Sequence, residues 1–339
     1  VSGARSQVLK ALEDAKEDGI SQSSLVRLTG FSKSTISYVL DRLVEEGIVV
    51  RLKKGRDALL WLSRYAPPKR GKVVRVGFIK ALEYAYLIPF SRLMRDKGMV
   101  VELKVYENGL YVLNDLAMGR IELAIAPLVT QILKSASTKG GIRIVAGAGR
   151  GGSSLVSRKE MRRPHEIAGK VLGSTALSTM ELNLLGLASA EGIAPEELSI
   201  VHTGSAMEML RLLERGAVDA VSLWEPYPTL MERKGYRRLV RYREFFDEFP
   251  CCVLSCRGKP DEVVLMGFRK AFEAFEGKKV EYGKTFSRLV GLPEELVEDS
   301  IGDFAFRPNI NRREVETCLI RAGMWGLIPI AKEAVEGKE

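Results

Sequence analysis

"LNDLAMGRIELAIAPL" (residues 113–128) and "LRLLERGAVDAVSLWE" (residues 210–225) are the same segment written twice. They align without a gap. Each runs from a helix end through a glycine (Gly119, Gly216) into an apolar strand entered by one acid (Glu122, Asp219). The match continues upstream, where "VVRVGF" (73–78) corresponds to "GKVLGS" (169–174) and "VELKVYENG" (101–109) to "LSIVHTGSA" (198–206). Order, spacing and capping glycines all recur, so the repeat covers strand–helix–strand–helix–strand twice over. Short apolar strands alternating with amphipathic helices are the mark of a parallel α/β sheet. A duplicated unit of this kind builds two lobes.

Ligands of open parallel sheets bind beyond the carboxyl ends of the strands. Applied to both copies, that rule nominates paired loops facing one cleft: Lys80–Tyr84 with Ser174–Thr179, Glu107–Gly109 with Thr203–Ser205, and Pro127–Thr130 with Trp224–Pro226. Ser174, Thr175, Ser178 and Thr179 open a helix whose free N–H groups favour an anion. Asn108 and Ser205 precede helices and can act in the same way, or simply cap them. Tyr84 and Trp224 offer a planar wall, Thr130 a hydroxyl, and Ser153 and Ser154 lie where the chain first crosses between lobes. Glu225 is the odd member, since a carboxylate at a strand end binds an amine or ring nitrogen and repels a bare anion.

Outward from the repeat towards the N-terminus, the pattern changes. Apolar positions Val8, Leu9, Leu12 and Ala15 make a helical stripe over residues 4–17. Ser21 caps a second helix that ends at Gly30, and Ser32 caps a third over Lys33–Glu46, stopped by Gly47. Ile48–Leu52 and Asp57–Leu62 read as two strands around the basic turn Lys53-Lys54-Gly55-Arg56. "SSLVRLTGFSKSTISYVLDRLVEEGIVVRLKKGRDALLWL" (23–62) thus resembles the winged helix-turn-helix domains of archaeal and bacterial regulators. The third helix is expected to present Ser32, Lys33, Ser34, Thr35, Ser37 and Tyr38 to base edges, with Arg42 reaching a phosphate. Lys53, Lys54 and Arg56 at the wing would meet the backbone or minor groove. The alternative is a winged helix used only for protein contacts.

Charge supports the first reading. The chain of 339 residues carries a net +9; residues 1–70 hold 13 basic and 8 acidic side chains, residues 71–339 hold 39 and 35. The excess per residue is concentrated in the first segment, which suits polyanion binding. Ser63–Gly71 includes Pro67-Pro68 and has no apolar periodicity, so it reads as a linker.

The second segment resembles the type II periplasmic-binding-protein fold, in the branch of nitrate-, sulfonate- and taurine-binding and thiamine-precursor-binding proteins. "GRIELAIAPL" (119–128), "AGAGRGGSSLVSR" (146–158), "GKVLGSTALSTMELNLLGLASAEGI" (169–193) and "RGAVDAVSLWEPYPTLMERKG" (215–235) carry that resemblance. The fold class expected is therefore α/β, an N-terminal winged helix over 1–63, a linker over 64–72, and a two-lobed binding domain over 73–339. Lobe one would hold 73–152 and 250–339, lobe two 153–249.

The resemblance implies a cytoplasmic, ligand-responsive DNA-binding regulator, acting as a homodimer on double-stranded DNA with a small-molecule effector, anionic or heteroaromatic. The joined domains are similar to those of LysR-type regulators, although these use a long dimerising helix where this chain has Pro-Pro. Two alternatives belong to other classes: a solute-binding protein of a transporter, and an enzyme like the thiamine-pyrimidine synthases, which depend on a cysteine cluster and histidines. "CCVLSC" (251–256) falls where an apolar return strand is expected, and neither His165 nor His202 is an evident partner, so neither an enzyme, a metal nor a cofactor is expected. No run approaches the roughly 18 apolar residues of a membrane span, so no membrane partner is expected. Abundant Lys, Arg and Glu suggest a thermophilic source.

Overall fold

The computed structural model describes residues 2–46, 48–54, 57–63, 65, 72–246 and 249–335, the side chains of residues 2, 17, 52–54 and 57 lying outside that description. Most of the expected linker and the wing residue Arg56 therefore fall outside the described residues, as do the side chains of Lys53 and Lys54. The chain divides into two compact units: Val1–Val74 with Ile88–Leu103, and Arg75–Leu87 with Lys104–Glu339.

In the first unit, helices α1 (Ser2–Ala15), α2 (Gln22–Thr29) and α3 (Lys33–Glu45) precede the hairpin Val49–Lys54 and Asp57–Leu62. Both expected caps form: Ser21 Oγ accepts from Ser24 N at 3.1 Å, and Ser32 Oγ accepts from Thr35 N at 3.1 Å. Each satisfies an amide that the helix cannot pair itself. Val8, Leu12, Leu25, Ile36, Val39, Leu40 and Leu43 meet in one core with Val49, Leu60 and Leu62. The short strand Ile20–Ser21 pairs antiparallel with Asp57–Leu62, completing a three-stranded sheet. No periodicity announces two residues of strand, so this element is new. Arg5 grips Glu46 through two hydrogen bonds of 3.0 and 2.6 Å, pinning α1 to the end of α3.

The binding fold holds two five-stranded sheets. One has the order Val100–Tyr106, Val73–Ile79, Leu123–Pro127, Cys252–Arg257, Ile142–Gly147; the other Ser199–His202, Val171–Ser174, Ala220–Trp224, Ser153–Ser157, Arg237–Arg241. The repeat is visible atom by atom. Glu122 accepts from Arg75 N at 2.7 Å while its own N–H donates to Arg75 O at 3.0 Å. Asp219 accepts from Val171 N at 3.0 Å and donates to Val171 O at 2.7 Å. The two acids that enter the repeated strands thus perform one task, pinning the start of the neighbouring strand.

Cys252–Arg257 lies between Leu123–Pro127 and Ile142–Gly147, antiparallel to both. This is the return strand that brings the chain back after the second lobe's sheet. All four cysteines are free and buried. At the other crossing, Gly149–Gly151 pairs with Phe304–Phe306 in a two-stranded sheet. The helices Glu262–Glu276, Lys279–Val290, Val297–Ser300 and Arg312–Arg321 follow, and a further helix, Ile328–Ala334, packs beyond the last helix that the sequence pattern predicts. Among the described residues no helix is long and apolar enough to cross a membrane.

Candidate functional site

The carboxyl-end loops of both repeats enclose a cavity of about 180 Å³. Every one of the six nominated loops contributes to its wall: Ala81 and Glu83; Thr175, Ala176, Ser178 and Thr179; Glu107, Asn108 and Gly109; Thr203 and Gly204; Pro127 and Thr130; and Trp224. The cause is topological. Strand ends in each lobe point at the other lobe, so their loops meet.

Several hydrogen bonds close the lobes around the cavity. The Trp224 indole Nε1–H donates to Lys80 O at 3.1 Å, Thr130 Oγ1 donates to Leu177 O at 2.6 Å, and Thr179 Oγ1 donates to Cys251 O at 2.5 Å. The Leu82 N–H donates to Glu225 O at 3.3 Å. Leu177 holds φ +55°, a left-handed conformation that costs a branched side chain energy, at the turn where its carbonyl receives Thr130.

Six of the twelve candidate residues line the cavity: Asn108, Thr130, Thr175, Ser178, Thr179 and Trp224. Asn108 and Ser178 also cap helices, accepting from Tyr111 N at 3.2 Å and Glu181 N at 3.3 Å. The other six lie elsewhere. Ser205 caps Ala206–Glu214, the repeat partner of Asn108's helix. Ser174 is buried, its hydroxyl unpaired among the described residues. Ser153 accepts from Asn183 at 3.4 Å, and Ser154 from Arg238 at 3.5 Å. Tyr84 packs on Phe78 inside its lobe and meets Sγ of the cavity-lining Cys252 at 3.1 Å.

Glu225 sits in a different setting from the one its sequence position suggests. It is fully buried and ion-paired to Arg238 at 2.6 Å, beside Asp303, which also contacts Arg238 at 2.5 Å. Burial pushes its carboxyl up to about 7, Arg238 pulls it back, and the neighbouring Asp303 charge pushes it up again.

Sequence reasoning missed Glu83. It lies one residue from Tyr84, in the short 3-10 turn Leu82–Tyr84, and is 1% exposed. Its Oε1 accepts from Gly149 N at 3.0 Å. Burial pushes its carboxyl up to about 7, against the lowering effect of Cys252, the Gly149 amide and Cys251. Glu83, Cys251 and Cys252 bring their ligand-type atoms within 4.8 Å of one another, so this group has donors that could hold a metal ion, a juxtaposition that the spacing of the cysteines does not announce. The Cys252 hydrogen bond lowers the Cys251 thiol, but burial and the Glu83 charge outweigh it, and burial raises the Cys252 thiol as well. The strand-end rule points at this loop, but only the fold reveals that the return strand delivers two thiols beside its acid.

On the winged helix, α3 exposes Lys33, Ser34 and Tyr38, with Arg42 Cζ 5.4 Å from the Tyr38 ring centre. Ser32 Oγ lies 2.9 Å from both Ser34 Oγ and Thr35 Oγ1. Asp41 shares this face with Ser37, to which it is hydrogen-bonded at 3.4 Å, and its charge is met by Arg51 of the hairpin at 2.9 Å.

A model of the NMT1-like family matches residues 67–262, more than half of the chain. The chain belongs to the NMT1-like family. Ahead of that match, residues 1–58 match a MarR family model, so a MarR-type helix-turn-helix domain precedes the NMT1-like domain. The taurine-binding periplasmic protein of Escherichia coli strain K12 is 25% identical over 146 residues, 42% of this chain and 44% of that protein, so the match spans under half of its length. The alkanesulfonate-binding protein of Xanthomonas axonopodis pv. citri superposes with TM-score 0.66 at 16% identity, over 78% of this chain and 97% of its own. The ligand-binding component of an ABC-type import system from Staphylococcus aureus does so at 0.66 and 19%, over 78% and 100%. These superpositions establish the two-lobed periplasmic-binding-protein fold of the NMT1-like domain.

Proposed function

We propose that this chain is a ligand-responsive transcriptional regulator, cytoplasmic and homodimeric, that grips double-stranded DNA through its winged helix and holds a small-molecule effector between its lobes. One observation carries the reading: a cavity built from both repeats sits in the same chain as a MarR-type helix-turn-helix domain. Ser32, Lys33, Ser34, Thr35, Ser37 and Tyr38 face base edges in this reading, Arg42, Lys53, Lys54 and Arg56 the phosphates. Asn108, Thr130, Thr175, Ser178, Thr179 and Trp224 contact the effector.

A route of one chain segment and one hydrogen bond supports coupling between the two activities. The cavity loop that carries Glu83 leads within a few residues into the helix Leu87–Asp96. From that helix Arg95 donates to Val44 O at 2.8 Å, in the last turn of α3. A ligand that shifts the loop has a short mechanical path to the DNA reader, provided it favours one of two arrangements.

Footprinting of the full chain on DNA flanking its own gene tests the proposal. A protected site whose occupancy changes with a co-purified small molecule is the expected result, and Arg95→Ala should keep the site but lose the response. A solute-binding protein of a transporter is the competing reading, favoured by the taurine-binding relative. Absence of any protected site, with ligand binding retained, would establish that competitor instead.

A further inference from the structure

The cavity wall carries two carboxylates, Glu83 and Glu107, and among the described residues no Lys, Arg or His. For a site that held a bare sulfonate or nitrate, that balance has the wrong sign. We propose that the cleft selects a ligand carrying a cationic nitrogen group, an amine, amidine or protonated heteroaromatic ring, held by the Glu83 carboxylate. The inference deepens the small-molecule reading above and rests on it.

Three observations carry it. First, the two buried acids in the loops after repeated strands are treated differently. Glu225 has Arg238 at 2.6 Å, whereas Glu83 has one amide, Gly149 N–H at 3.0 Å, two thiols, and no ion pair among the described residues. A buried acid without a cation is costly, and a ligand cation is what would relieve it. Second, part of the feature that would favour an anion is already occupied. The first turn of Thr179–Ala190 receives Ser178 Oγ on Glu181 N, and the Glu181 carboxylate takes the Leu177 N–H at 2.6 Å. Third, the indole of Trp224 lines the same cavity, and a flat cation is attracted to such a face. Glu107, exposed at the rim, adds attraction of the same sign.

Matched aromatic probes test the charge preference whatever the natural effector is. The full chain, treated with chelator so that no metal occupies Glu83, Cys251 and Cys252, is titrated at pH 8 with benzamidine, benzoate and benzenesulfonate. Binding is followed by calorimetry and by the melting temperature. Benzamidine should bind at least 30-fold more tightly than either anion, and Glu83→Gln, which keeps shape and removes charge, should reduce that ratio at least tenfold. Glu107→Gln should change it less. Benzenesulfonate binding in preference to benzamidine, or an unchanged ratio in E83Q, would overturn the cation preference while leaving the small-molecule reading in place. Binding of none of the three would likewise overturn the cation preference, the small-molecule reading being decided by the footprinting with a co-purified molecule.

Discussion

Glu83 and Gly149 stand 66 positions apart in the chain and 3.0 Å apart in the fold, the amide of Gly149 donating to the carboxylate of Glu83. The approach is so close that a Cβ on Gly149 would lie 2.2 Å from Glu83 Cγ and 2.4 Å from its Oε1. Glycine is needed here for space.

Gly149→Ala should therefore displace the Glu83 side chain. Overpacking of this kind costs about 1–3 kcal/mol. The expected outcome is a lower denaturant midpoint and at least a tenfold loss of benzamidine binding, read by chemical denaturation and calorimetry. Unchanged stability would show that Glu83 has another way to sit.

Glu83 also makes stability depend on pH. Its folded carboxyl is pushed up to about 7 by burial, from an ordinary value of 4.5. A raised folded value means that the folded state holds the proton more tightly than the unfolded chain. Its stabilising effect is full below about 4.5 and is lost as pH rises through 7. Glu83→Gln should thus be near neutral in stability at pH 4.5 and stabilising by about 2–3 kcal/mol at pH 8. Denaturant titrations of both proteins at the two pH values check the sign.

Arg238 serves three acids, Glu225, Glu232 and Asp303, at 2.6, 2.6 and 2.5 Å, with its own side chain 3% exposed. Arg238→Met would strand Glu225, while Asp303 keeps Arg241 at 3.6 Å and Arg243 at 3.4 Å. Removing one partner of a buried ion pair typically costs about 3–5 kcal/mol. The double variant Arg238→Met/Glu225→Gln should recover part of that loss, and a double-mutant cycle reads the coupling. Strict additivity of the two changes would mean that the pair does not interact.

The wing makes a separate prediction, which rests on sequence. Converting Lys53, Lys54 and Arg56 to Gln should weaken binding about equally across DNA sequences. It should also flatten the plot of log affinity against log salt, by up to about 0.9 for each phosphate left without its cation. An unaltered salt slope would remove the wing from phosphate contact.

Much of the architecture is legible in one dimension because its causes are local or repeated. Helix caps at Ser21 and Ser32 need only a hydroxyl three residues ahead of an amide. The two lobes are legible because the chain states its βα unit twice, with Glu122 and Asp219 pinning equivalent strands, and strand-end loops of such a sheet necessarily converge. The two-residue strand Ile20–Ser21 is not legible, since its pairing depends on a partner some forty residues away.

Sequence alone thus determined the domain order, the duplicated lobes and the six loops around the cleft. Only tertiary structure decided which side chains in those loops reach the cavity and which acid there has no ion pair among the described residues. Glu225 and Glu83 are equivalent in residue type and both lie in loops that follow repeated strands, yet Arg238 comes to one and a pair of cysteines from the return strand to the other. Charge compensation in a protein interior depends on distance through space, and residues far apart in the chain supply it.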